Sequence, residues 1–208
     1  MFALDRDLLA LEPTLFRDVG WAGQELLAGE GHLDAGDVVL TNGNTDFQGC
    51  GLSSGHVVVV DRMSLEVIEV TTATVAQVSR LRATRDGPAE WAVQTQDLPI
   101  VIRTFGPQIG VAHRQVLRML GLDTGDADET AVVNPDSLVH LESLGALHLI
   151  FSAAAAFAPG GSPLAERAAM YRERFEDERG RVRAEIDLNG DGIADATRRP
   201  NVMLLGRG

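Results

Sequence analysis

The chain has 208 residues, a formal net charge of −12, 45% hydrophobic and 23% charged residues, and a single cysteine. That length suits one domain with an insertion or two small domains, and the composition excludes disorder over most of the chain. No run of about 18 apolar residues occurs, which argues against a membrane span, and Asp5, Arg6 and Asp7 break up any secretory leader.

The acidity is unevenly placed. Residues 160–208 hold nine arginines and nine acids, so of the 30 acids and 18 basic residues, 21 and nine respectively lie upstream. A body with that excess repels nucleic acid at long range, which argues against direct phosphate binding by it, and the balanced C-terminal section suits paired charges with another protein. Every basic residue is arginine, the cation best shaped for two-pronged contacts with carboxylates.

In chain order, Leu4, Leu8, Leu11, Leu15 and Val19 recur at helical spacing and are interrupted by Pro13, predicting a short helix and one further turn of helix. From Ala35 the texture changes to β-branched runs: Asp37–Thr41, His56–Val60, Ser64–Val70, Thr74–Leu81, Trp91–Gln94 and Leu98–Phe105. Turns at Asn42-Gly43-Asn44, Gly49–Gly55 and Gly87-Pro88 separate them. About six short strands predict a small antiparallel barrel or sandwich, with Gly55–Arg82 as a meander.

Beyond Phe105 the period becomes helical again. Pro107 opens a helix carrying Ile109, Ala112, Val116 and Leu120 and ending at Gly121, and the acidic stretch Asp123–Glu129 follows as a loop. Asn134-Pro135-Asp136-Ser137 starts a second helix, from about Leu138 to Phe157, and Pro159-Gly160-Gly161 stops it. Ser162 and Pro163 open a third, with Leu164, Ala168, Tyr171, Phe175, Val182 and Ile186 on one stripe. Its remaining positions carry charges, among them Arg167, Arg172, Glu173, Arg174, Glu176 and Arg179, and read either as a solvated face or as a contact between subunits. The expected fold is therefore α+β. A helical bundle comprises residues 1–34 and 106–186, a small β-domain is inserted at 35–105, and an extended C-terminal arm covers 187–208.

Candidate chemistry is sparse. Asp187, Asn189, Asp191 and Asp195 occupy positions 1, 3, 5 and 9 of a calcium-type loop with Gly192 at position 6, but Arg198 stands where a bidentate carboxylate is needed. Either a metal loop of a calcium-binding surface or adhesion module, or a turn rich in Asn and Gly, explains those letters. The histidines at 32, 56, 113, 140 and 148 lack metal spacing, and no nucleophile elbow, phosphate loop or dinucleotide fingerprint occurs. Cys50 lies in a Gly-rich turn with no base beside it in the sequence. The expectation is a protein that is not an enzyme and takes no cofactor. Its last residues are Arg198-Arg199-Pro200-Asn201-Val202-Met203-Leu204-Leu205-Gly206-Arg207-Gly208, in which an apolar tetrapeptide flanked by arginine, proline and glycine calls for a receiving surface.

Taken together, Pro107-Gln-Ile, Val116-Leu-Arg-Met-Leu120, Leu138-Val-His-Leu141, Ala153–Ala156, Ala168-Ala-Met-Tyr171-Arg-Glu-Arg-Phe175 and Asp187-Leu-Asn-Gly-Asp-Gly resemble head-tail adaptor proteins of tailed bacteriophages and gene-transfer agents. The resemblance covers residues 1–20 and 107–208, and the β-rich stretch departs from the simplest all-helical members. It implies a structural protein of the virion neck, made in the bacterial cytoplasm and assembled as a ring, commonly of twelve copies, beneath the portal. Stopper or tail proteins would bind the other face, and DNA would pass through without specific contacts. It further implies that Asn201, Val202, Met203, Leu204 and Leu205 dock into the portal while Arg198 and Arg199 pair with portal acids. The helix from Leu164 to Ile186 would line the ring.

Overall fold

The structure, a computed structural model, describes residues 1–122, 129–159 and 162–200. The chain divides into two compact units: Leu4–Gly106, and Met1–Ala3 together with the chain from Pro107 onward.

In the first unit, helices α1 (Asp5–Leu11) and α2 (Leu15–Asp18) and a 3₁₀ turn (Gly20–Ala22) lead into a closed antiparallel barrel. Its strands are β1 (Gln24–Asp34), β2 (Asp37–Gly43), β3 (Val57–Val60), β4 (Met63–Val70), β5 (Val75–Ser79) and β6 (Leu98–Thr104), in the order β1-β2-β5-β4-β3-β6. The barrel rather than a sandwich is realised because β1, at 11 residues, pairs with β2 along one side and with β6 along the other. Alternating inward residues fill it, among them Leu27, Leu33, Val38, Leu40, Val58, Leu65, Val67, Ile100 and Ile102, with Phe47 from the β2–β3 connection. The interior is a packed core with no polar residue among these.

This overturns the expected partition at its first boundary. Residues 24–34 are a barrel strand, and α1 and α2 belong to the barrel unit, not to a bundle spanning 1–34. The predicted strand at Trp91–Gln94 is also absent: closure already fixes the two neighbours of each barrel strand, and Pro88 precedes the segment. The connection touches the sheet through an isolated bridge, Arg80 to Glu90, and through Thr95 at Leu33 of β1.

The second unit holds α3 (Gly106–Leu120) from its second residue on, α4 (Asp136–Phe157) and α5 (Leu164–Arg181), followed by the two-stranded sheet of β7 (Ala184–Ile186) and β8 (Ala196–Arg198). The helices converge on Gly145 of α4. A Cβ there would stand 3.1 Å from the Phe175 ring of α5 and 3.3 Å from Ala112 of α3, so the small residue sets how closely the three approach. Phe151 and Tyr171 stack at 5.6 Å between centroids, 3° from parallel. By length and composition α4 could cross a membrane, yet most of it is buried within the protein, with Glu142 fully enclosed.

The expected helix to Ile186 stops at Arg181. Asn134 accounts for the change: its Oδ1 accepts the Glu185 N–H at 2.8 Å and its Nδ2 donates to the Arg183 carbonyl at 3.1 Å, drawing residues 183–186 into β7. The expected arm at 187–208 is shortened for the same kind of reason. β8 folds back on β7, Pro200 is buried, and the segment through Pro200 is part of the second unit.

Candidate functional site

The charged face of α5 is the best-formed polar surface of the second unit. Arg172, Glu173, Arg174 and Glu176 lie exposed, with Arg172 Nε paired to Glu176 Oε1 at 3.1 Å. Such a solvated i,i+4 pair contributes under about 1 kcal/mol, so the face is not explained by what it does for the helix. Arg167 and Arg179 behave differently. The Arg167 guanidinium sits 5.5 Å from the centre of the Phe151 ring, and Arg179 directs Nη1 at Met119 Sδ at 3.8 Å, so both are spent on packing within the unit.

Arg198, expected to reach portal acids, is likewise occupied. Its Nη1 donates to the Leu120 carbonyl at 2.7 Å and the Gly121 carbonyl at 3.3 Å, satisfying the C-terminal end of α3. Gly121 has φ +69°, and a Cβ there would lie 3.2 Å from that guanidinium. Arg199 is exposed. Asn201, Val202, Met203, Leu204 and Leu205 lie outside the described residues, as does the acidic loop at 123–128.

The Asp187–Asp195 loop closes on itself. Asp187 Oδ1 accepts the N–H of Asn189 at 3.0 Å and of Gly190 at 2.7 Å, while Oδ2 accepts that of Gly192 at 2.6 Å. The hydrogen bond from Gly192 is the chief reason the Asp187 carboxyl titrates below its ordinary value of 3.8. Asn189 accepts from Asp191 N–H, Asp191 from Ile193 N–H, and Asp195 Oδ2 from Leu188 N–H at 2.8 Å. Gly190 and Gly192 take φ near +80°, as the turn requires. With Arg198 directed at the α3 terminus in place of a twelfth-position ligand, the geometry is that of a self-capped turn joining β7 to β8.

Asp187→Ala is accordingly expected to raise amide exchange at Asn189, Gly190 and Gly192 by about tenfold or more, with or without calcium. A calcium-dependent protection of those amides in the parent would contradict that. The carboxylate supports the turn fully above its ordinary 3.8, and that support is lost as pH falls from there through the lower value it has in the folded protein.

Two constellations of charge were invisible to motif reading. In the second unit, His113 Nδ1 meets Glu142 Oε2 at 2.8 Å and Nε2 meets Glu129 Oε2 at 2.9 Å, with the Phe2 ring edge-on at 4.9 Å. Glu142 Oε1 also accepts the Ala3 N–H at 3.1 Å. Both ring nitrogens are committed to carboxylates, so neither is presented to a substrate, and the cluster instead binds residues 1–3 to α3 and α4.

In the barrel unit, fully buried Glu66 on β4 accepts from Arg6 Nε, from Arg82 Nε at 2.5 Å and from Arg82 N–H at 2.9 Å. Arg6 Nη2 donates to the Arg82 carbonyl at 2.8 Å, and Asp7 pairs with Arg6 at 3.2 Å and with Arg85 at 2.6 Å. The acids and arginine that break up the N-terminal apolar pattern therefore fasten α1 to the barrel. Cys50 lies half-buried with Sγ 3.3 Å from the Phe47 carbonyl, and burial pushes its thiol up, away from nucleophilic use.

Comparison with protein-family models, with curated proteins and with solved structures finds no match. Among the described residues no three His, Cys, Asp or Glu side chains converge in a way that could hold a metal ion.

Proposed function

We propose that the chain is a structural protein of a phage-type virion neck, a head-tail adaptor that forms a ring between the portal and the stopper or tail proteins. The observation that carries this reading is the C-terminal order of parts. A three-helix unit with a mixed-sign face on α5 is followed by the β7–β8 hairpin, tied down through Arg198, and then directly by the apolar sequence Asn201-Val-Met-Leu-Leu205. In a ring, one subunit's face meets a different face of the next, and interspersed charges such as Arg172, Glu173, Arg174 and Glu176 set the register of such contacts. An acidic body also suits a wall past which DNA must move without adhering.

The docking arm on this reading is residues 201–208, with Arg199 at its base, because Arg198 serves its own α3. Deleting residues 201–208 is expected to abolish the complex with the portal ring encoded in the same genome, read as the mass of the assembly by light scattering. An unchanged mass would end the adaptor reading.

A further inference from the structure

The outer surface of the barrel at the β1–β2 turn has an unusual composition. Trp91 and Val93, 49% and 69% exposed, stand on the β5–β6 connection, which is held there by a few polar contacts. Thr95 N–H donates to the Leu33 carbonyl at 3.1 Å, Leu33 N–H donates to Thr95 Oγ1 at 3.0 Å, and Gln94 Nε2 donates to Asp34 Oδ1 at 2.9 Å. The Trp91 ring lies directly over Gly36, where a Cβ would come within 2.2 Å of it, so the turn has been kept bare to seat the indole. The same segments carry exposed acids: Asp34, which accepts from Gln94, Glu90, next to Trp91 in the chain, and Asp97, whose Oδ1 lies 3.2 Å from His32 Nδ1, with Asp37 half-buried after the turn.

An exposed indole with acids on its own and the adjoining segments suits a guanidinium, which stacks on the ring while its N–H groups meet carboxylates. The chain itself uses arginine over aromatic rings, at Arg167–Phe151 and at Arg174–Tyr171, 5.6 Å apart in the second case. It contains no lysine, so every side-chain cation it could offer another copy, histidine aside, is a guanidinium.

The matching group is found where α5 ends. Arg181, the last residue of the helix, and Arg183, just beyond it, are exposed on either side of buried Val182. Neither forms an ion pair among the described residues. We propose that Trp91, with the acids on its own and the adjoining segments, is a docking surface for Arg181 and Arg183 of a second copy of this chain. The proposal deepens the ring reading above and rests on it only in expecting that copies meet. Its test uses no portal, so its failure is distinguishable from failure of the portal contact.

Sedimentation of the full chain over a wide concentration range, in low and in 0.5 M salt, provides that test. The parent is expected to self-associate and to do so at least tenfold more weakly in high salt, since the surface charges are screened. Trp91→Ala, the pair Asp34→Arg with Asp97→Arg, and the pair Arg181→Glu with Arg183→Glu should each weaken association at least tenfold while leaving the circular dichroism spectrum unchanged. Mixing the two charge-reversed proteins should restore mixed complexes. A parent that stays monomeric at the highest concentration, association insensitive to Arg181 and Arg183 reversal, or no recovery on mixing overturns the proposal.

Discussion

Replacing Glu66 with alanine is expected to cost the barrel unit about 3–5 kcal/mol, because it leaves two arginines without their buried counter-charge. Glu66 is fully enclosed, and Arg6 and Arg82, also largely withdrawn from water, converge on its two oxygens. Taking the carboxylate away removes the attraction and keeps the desolvation. Stabilities of whole domains run to about 5–15 kcal/mol, so a loss of that size brings the unit close to unfolding at ambient temperature. Both tryptophans, Trp21 and Trp91, lie in this unit, and urea unfolding followed by their fluorescence reports on it alone. A midpoint for Glu66→Ala equal to that of the parent would show that the cluster is not what holds α1 to the barrel. Replacing the cluster as a whole with apolar residues, Arg6→Met, Glu66→Leu and Arg82→Met together, is expected to recover most of the loss.

The second large effect concerns Asp5, buried at the start of α1. Burial raises its carboxyl from 3.8 to about 6, against the lowering influence of the hydrogen bond from Phe105 N–H at 2.9 Å, that from the Thr104 side chain and the field of His56, while Asp7 raises it further. Since the folded form holds the proton more tightly than the unfolded chain, this group's contribution is complete below 3.8 and is lost as pH rises through about 6. A displacement of about two units corresponds to about 3 kcal/mol, at about 1.4 per unit, carried as a penalty at neutral pH. Asp5→Asn is expected to remove that penalty in large part, making the variant more stable than the parent at pH 7 and equal to it near pH 4. The difference between the two unfolding free energies, measured from pH 4 to 8, isolates Asp5 from every other titrating group. A difference that does not change with pH would refute the assignment.

Much of the architecture was legible because periodicity and packing agree. The valine run at 57–60, Leu65 and Val67 in the run that became β4, and the stripe Ile109, Ala112, Val116 and Leu120 are all buried, as an apolar run and a helical spacing imply. Strand β1 was not legible. Its sequence, Gln-Glu-Leu-Leu-Ala-Gly-Glu-Gly-His-Leu-Asp, is rich in residues depleted from sheets, and the reason is local. A Cβ at Gly29 would fall 2.2 Å from the Asn42 carbonyl oxygen and one at Gly31 2.2 Å from that of Val39, where β2 crosses closely at a bulge. Those glycines read as loop because the partner that demands them is distant in sequence. The end of α5 was misread for a similar reason, since Val182 and Ile186 keep helical spacing while Asn134, some fifty positions earlier, draws the backbone into β7. The Glu66 and His113 clusters had no motif to betray them, being assembled from side chains that only the fold brings together.

The way the barrel closes also dictates when it can exist. Gln24 pairs with Thr104 and Gly31 with Leu98, so the first strand waits for the last before the cylinder is sealed. On the ribosome, Leu27, Leu33 and their apolar neighbours are made early and stay uncovered until β6 has emerged, a slow long-range step that rewards a chaperone's attention or a well-timed pause in synthesis.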